Sequence, residues 1–244
     1  MKKVLIILAI LFLNFAYAQE DLVEKGIKAY DRGDYPTALK YLKKSCDLNS
    51  GNGCSNLGII YENGFGVKKD SFKAAELFRK ACDLNSSLGC FNLGVTYENG
   101  FGVKKDNFKA VELYQKSCNL NEGLGCSNLG SMYRNGYGIR KDNFKAVELY
   151  QKACDLNIGI GCTNLGAMYV SGEGVRIDNF KAVKLYQKAC ILNDGLGCIR
   201  LGFMYGFGNG VKKDISKALE YFGKACDLKN EDGCMLYANF KEQF

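Results

Sequence analysis

Gly125 to Ile160 reads GCSNLGSMYRNGYGIRKDNFKAVELYQKACDLNIGI. Nearly the same 36 residues precede it from Gly89 and follow it from Gly161. Self-similarity at this period marks a stacked array of small units, whose core forms only between neighbours. Within the stretch, Leu129, Met132 and Tyr133 fall on one helical face, and Gly130 allows close approach of a second helix. Further on, Phe144, Val147, Leu149, Tyr150 and Ala153 alternate with Lys145, Glu148, Gln151 and Lys152 at a helical period. Each repeat therefore reads as two helices. No segment of the chain reads as a strand.

Between the two helices stands Asn135 to Asp142, NGYGIRKD, which returns as Asn63–Asp70, Asn99–Asp106, Ser171–Asp178 and Phe207–Asp214. A phosphate loop would need a preceding strand and a following Gly-Lys-Ser/Thr, and neither is present. The glycines read instead as positive-φ positions in a helix–helix connection. Asp70, Asp106, Asp142, Asp178 and Asp214 then occupy the N-cap of each second helix. The tyrosines Tyr61, Tyr97, Tyr133, Tyr169 and Tyr205 recur in step and read as core packing.

Cysteine follows the same period. Cys46–Cys54, Cys82–Cys90, Cys118–Cys126, Cys154–Cys162, Cys190–Cys198 and Cys226–Cys234 are each eight apart and use all 12 cysteines. The first member lies near the end of a second helix and its partner at the start of the next first helix. Antiparallel neighbours can bring such positions together, so each pair is expected to close one hairpin with a disulfide. Zinc would favour closer cysteines or histidine partners, and the chain has no histidine. No metal and no cofactor are expected.

Residues 1–18 read as a secretory signal peptide: Lys2 and Lys3, an apolar run from Val4 to Phe15, then Ala16-Tyr17-Ala18 as the cleavage site. The apolar run falls short of the roughly 20 residues needed to span a bilayer. Export to the periplasm or the medium also suits paired cysteines, because disulfides persist there. No membrane partner is expected after cleavage. The formal charge is +7, with acidic and basic residues interleaved, and nothing calls for nucleic acid.

The units fall at about 19–52, 53–88, 89–124, 125–160, 161–196 and 197–232, with a capping helix at 233–244. The first diverges. Gly26, Tyr30, Gly33, Tyr35 and Ala38 keep tetratricopeptide spacing, without the four extra residues of the later connections, and Pro36 suits a first helical turn.

This pattern, over nearly all of residues 22–244, resembles the Sel-like repeat family, relatives of the tetratricopeptide repeats. With the leader and a Cys-x7-Cys pair in every unit, it resembles the Helicobacter cysteine-rich protein family. The resemblance implies an all-α, right-handed superhelical solenoid of six helix pairs with a concave groove. It also implies penicillin binding and slow β-lactamase activity, or a secreted protein that meets host cells.

The residues do not supply a familiar hydrolase. No serine is followed three residues later by lysine, Lys-Thr-Gly is absent, and histidine for a zinc enzyme is absent. A catalytic residue is therefore not named. Binding has better support. Asn56, Asn92, Asn128 and Asn164 recur at one place in four consecutive first helices, and Arg200 takes that place in the fifth. As the resemblance implies, first helices line the groove. An amide donates and accepts at once, which suits a peptide, a peptidoglycan fragment, a β-lactam or a host protein. The same asparagines could equally serve neighbouring helix ends. The sets Ile59, Val95, Ser131, Ala167, Phe203 and Glu62, Glu98, Arg134, Val170, Gly206 vary between units and are expected to tune specificity. The chain is expected to be a monomer, and a purely non-enzymatic protein–protein interaction scaffold or host-directed secreted factor is the alternative reading.

Overall fold

The computed structural model describes residues 19–243, so the expected leader lies outside the described residues. These are helical throughout, with no strand among them. Two compact units follow one another, the first up to Leu120 and the second from Asn121. The first holds α1 (residues 19–31), α2 (Tyr35–Asp47), α3 (Gly51–Asn63), α4 (Ser71–Asp83), α5 (Ser87–Asn99) and α6 (Asn107–Asn119). The second holds α7 (Gly123–Asn135), α8 (Asn143–Asp155), α9 (Gly159–Ser171), α10 (Asn179–Ile191), α11 (Gly195–Phe207), α12 (Ile215–Asp227) and α13 (Glu231–Gln243). Pro36 sits in the first turn of α2, where its missing N–H costs nothing.

Inside each unit the chain packs as helix pairs: α3 on α4 and α5 on α6, then α7 on α8, α9 on α10 and α11 on α12. The fold is an all-α solenoid of helix pairs. One large ring from the second helix of each pair fills the core. Phe78 and Tyr114 do this in the first unit, and Tyr150, Tyr186 and Phe222 in the second. Each ring lies over a glycine of its partner helix; a Cβ at Gly166 would stand 2.6 Å from the Tyr186 ring. The recurring tyrosines such as Tyr61 and Tyr169 pack half-buried against these cores. Lys73 caps the face of the Tyr61 ring at 4.1 Å, and Lys181 that of Tyr169 at 5.2 Å.

Phe144 departs from the sequence reading. It does not join the apolar face of α8 but stands 74% exposed. The buried residues of α8 are Ala146, Leu149, Tyr150, Ala153 and Cys154. At about 100° per residue, Phe144 points well away from Ala146, Leu149, Tyr150 and Ala153.

Between helix pairs the turn is compact. Asn49, Asn85, Asn157 and Asn193 each take a positive φ near 60°, which asparagine tolerates better than most residues. Ser50, Ser86 and Asp194 then cap the following helix. The turn brings the cysteines together. Disulfides join Cys46–Cys54 and Cys82–Cys90 in the first unit, and Cys154–Cys162, Cys190–Cys198 and Cys226–Cys234 in the second. Cys118 and Cys126 are also disulfide-bonded.

A second tie links successive second helices. Lys80 Nζ donates to the Cys46 carbonyl at 2.9 Å, Lys116 to that of Cys82 at 2.7 Å, and Lys188 to that of Cys154 at 2.7 Å. Each ammonium thus meets a carbonyl at a helix C-terminus, where the helix dipole favours positive charge.

Within each pair the connection closes on itself. The amide of Asp70 donates to the Tyr61 carbonyl, and Asp142 and Asp178 repeat this with Tyr133 and Tyr169. Gly64 and Gly172 end their helices in the left-handed region. The aspartates are N-caps: the Asp142 carboxylate accepts from the Lys145 amide at 3.0 Å. Replacing Asp142 by alanine is expected to cost about 1 kcal/mol in urea denaturation, the usual worth of such a cap.

Candidate functional site

The first helices place the recurrent asparagines in two separate settings. In the first unit the amides are engaged. Asn56 Nδ2 donates to the Asn52 carbonyl at 2.8 Å, one turn back on α3. Asn92 Nδ2 on α5 reaches Ser55 Oγ on α3 at 3.4 Å. In the second unit Asn128 on α7 and Asn164 on α9 are half-buried, and neither side chain has a hydrogen-bond partner among the described residues. Helices α7 and α9 touch, as do α9 and α11. Arg200 holds the same place on α11 and is exposed. The structure thus puts Asn128, Asn164 and Arg200 on successive adjoining helices, with Asn56 and Asn92 tied into a different unit.

The variable positions carry the charge differences. Tyr114 donates to Glu98 Oε2 at 2.5 Å in the first unit. Burial pushes the Glu62 carboxyl above its ordinary range, against the pull of Lys69. In the second unit Arg134 grips Glu173 through Nε at 2.9 Å and through a second nitrogen at 3.4 Å. Hydrogen bonding to Arg134 holds the Glu173 carboxyl below the usual glutamate range. The sequence offered no sign of this pair, since 39 residues separate the partners.

Beside that pair lies a hydroxyl cluster. Ser131 Oγ is 3.2 Å from the Ser127 carbonyl and 3.1 Å from the Tyr150 hydroxyl. Burial raises the Tyr150 phenol above its ordinary range, so it stays neutral at neutral pH and takes no proton from Ser131. Among the described residues, no group of three His, Cys, Asp or Glu side chains is placed to hold a metal ion, and no cysteine is free. The arrangement can form hydrogen bonds and ion pairs. It does not show an activated nucleophile.

The clefts lie elsewhere. One of about 690 Å³ opens beside the α7–α8 connection, lined by Tyr133, Ile139, Arg140, Lys141, Asn143 and Phe144 among others. Another of about 440 Å³ repeats it one helix pair later, with Tyr169, Val175, Arg176 and Ile177. Neither is lined by Asn128 or Asn164. Both are open and shallow.

Six consecutive segments match the Sel1 repeat: residues 14–50, 52–86, 87–122, 123–158, 159–194 and 195–230. The chain belongs to the Sel1 repeat family. Over 51 residues this Sel1 chain is 45% identical to HcpC of Helicobacter pylori strain J99, covering 21% of the chain and 18% of HcpC. Over 57 residues it is 42% identical to the beta-lactamase HcpA of the same strain, covering 23% of each. The matched regions thus span less than a quarter of either relative. The crystal structure of a Sel1 repeat protein from Oxalobacter formigenes superposes with a TM-score of 0.79 at 25% identity, over 89% of this chain and 86% of that one. These likenesses agree with the helix pairs described above.

Proposed function

We propose that this chain is an exported, disulfide-clamped Sel1 scaffold that binds an extended peptide, or the peptide part of a cell-wall fragment, on the first helices of its second unit. One observation carries the reading: Asn128 and Asn164 are half-buried amides on adjoining helices, without partners among the described residues. Each can donate to and accept from one peptide plane, at a depth where water competes less. Arg200, next in the row, offers a planar fork to a terminal carboxylate. Export is supported by the bridged cysteines, which an oxidising compartment preserves, and by the leader pattern.

The test is calorimetric titration with a synthetic stem peptide that ends in a free carboxylate. The Asn128→Ala/Asn164→Ala double variant is expected to bind about tenfold or more weakly, at roughly 1 kcal/mol per lost hydrogen bond. Unchanged affinity in that variant would remove the row from the site.

The β-lactam reading draws support from the name of HcpA. It predicts turnover of a chromogenic cephalosporin by the oxidised protein. Turnover no greater than that of heat-denatured protein would end that reading and leave the scaffold standing.

A further inference from the structure

The second helices carry an exposed aromatic row that neither the core nor the asparagine site uses. Phe72 on α4 is 75% exposed and Phe108 on α6 is 73% exposed in the first unit. Phe144 on α8 and Phe180 on α10, at 74% and 58%, repeat the feature in the second. Each ring sits in the first turn of its helix, two residues after the capping aspartate.

Basic residues surround these rings. Lys68 and Lys69, then Lys104 and Lys105, precede the first two, and Arg140 and Lys141, then Arg176, precede the others; all are exposed. Lys184 Nζ stands 4.4 Å from the Phe180 ring centroid. The capping aspartates Asp70, Asp106, Asp142 and Asp178 offset part of this charge, but they face positive helix ends, where they accept backbone N–H groups, and the cations just named outnumber them. The connections bring a further ring close. A Cβ at Gly102 would stand 2.6 Å from the Phe72 nitrogen, so the connection that carries the exposed Phe101 lies directly against the start of α4.

We propose that this edge of each unit is a peripheral docking surface for an anionic phospholipid membrane. Protruding rings flanked by lysine and arginine are what an interfacial surface requires: the rings enter the acyl boundary while the cations meet the headgroups. A folded protein partner would present different side chains along its length. Here the ring returns on four second helices, α4, α6, α8 and α10, each time behind one or two cations, which suits a partner of uniform chemistry. No described helix is long and apolar enough to cross a membrane, so the contact is one of adsorption and not of spanning.

The experiment is co-sedimentation of the full, disulfide-bonded chain with two kinds of vesicle. One is phosphatidylcholine alone and the other carries about 30% phosphatidylglycerol, to supply the negative surface potential. Binding is expected only to the anionic vesicles, and it should weaken with added salt. Alanine at Phe72, Phe108, Phe144 and Phe180 together is expected to lower that binding about tenfold or more. The helical signal and melting curve should change little, since the rings are mostly exposed and none belongs to the buried core. Failure to bind anionic vesicles, equal binding to neutral ones, or full binding by the four-alanine variant would each overturn the proposal. So would phenylalanine-dependent capture of soluble polyglutamate with vesicles ignored, which would mark a site for acidic polymers.

Discussion

Serine at both Cys154 and Cys162 is expected to lower stability by about 2.5 kcal/mol, read as a fall in the urea midpoint. Bridging two residues eight apart removes loop-closure entropy from the unfolded chain, and a loop this short gives about that amount on the chain-entropy model. Both sulfurs are buried, so the two hydroxyls left behind would also be taken out of water. The same argument holds for the other bridges. Their effects are not expected to sum, because neighbouring helix pairs unfold together. Reduction of the whole set should therefore give a larger loss than any one pair, but a smaller loss than the total. A midpoint unchanged in the Cys154→Ser/Cys162→Ser variant would show that packing alone holds that hairpin.

The larger single-residue effect is expected at Gly166. Leucine there should cost about 3 kcal/mol or more, near the upper end for an overpacked core. Helix propensity argues the other way, since glycine inside a helix costs about 0.5–1 kcal/mol relative to alanine. Packing decides the sign. A Cβ at this position would lie 2.6 to 3.1 Å from three atoms of the Tyr186 ring, and that ring is only 2% exposed. It has nowhere to retreat without moving α10 away from α9. Pairing the change with Tyr186→Leu should recover part of the loss. Gly166→Leu with an unaltered denaturation midpoint would mean that the ring moves freely, contrary to its burial.

The helix pairs, the bridges and the caps were legible because they depend on short-range chemistry. Eight residues from Cys154 to Cys162 form one turn, and Asp142 needs only the amides just ahead of it. Other features depend on residues from different repeats meeting, and sequence spacing carries no mark of that. The ties from Lys80 and Lys116 to carbonyls 34 residues back gave no signal, since those lysines also read as ordinary surface residues. Phe144 shares the helical period of the apolar positions of α8, but burial on that helix starts only at Ala146. The asparagine row was legible as a recurrence. Its division was not: Asn56 and Asn128 look alike in sequence, yet only Asn56 bonds back to its own helix.

The lysine ties also bear on how such a chain can change its length. Each reaches from one second helix to the one before it and no further, and each bridge joins a helix pair to its immediate successor. A duplication or excision of 36 residues between equivalent positions of the units that share the longer connection therefore returns these lysines to a carbonyl and each cysteine to a partner. An insertion of another size inside a helix or a cysteine turn would break that register, whereas the connection within a pair already differs by four residues between the first unit and the later ones. The array can thus lengthen or shorten in whole units with no accompanying repair of the interior.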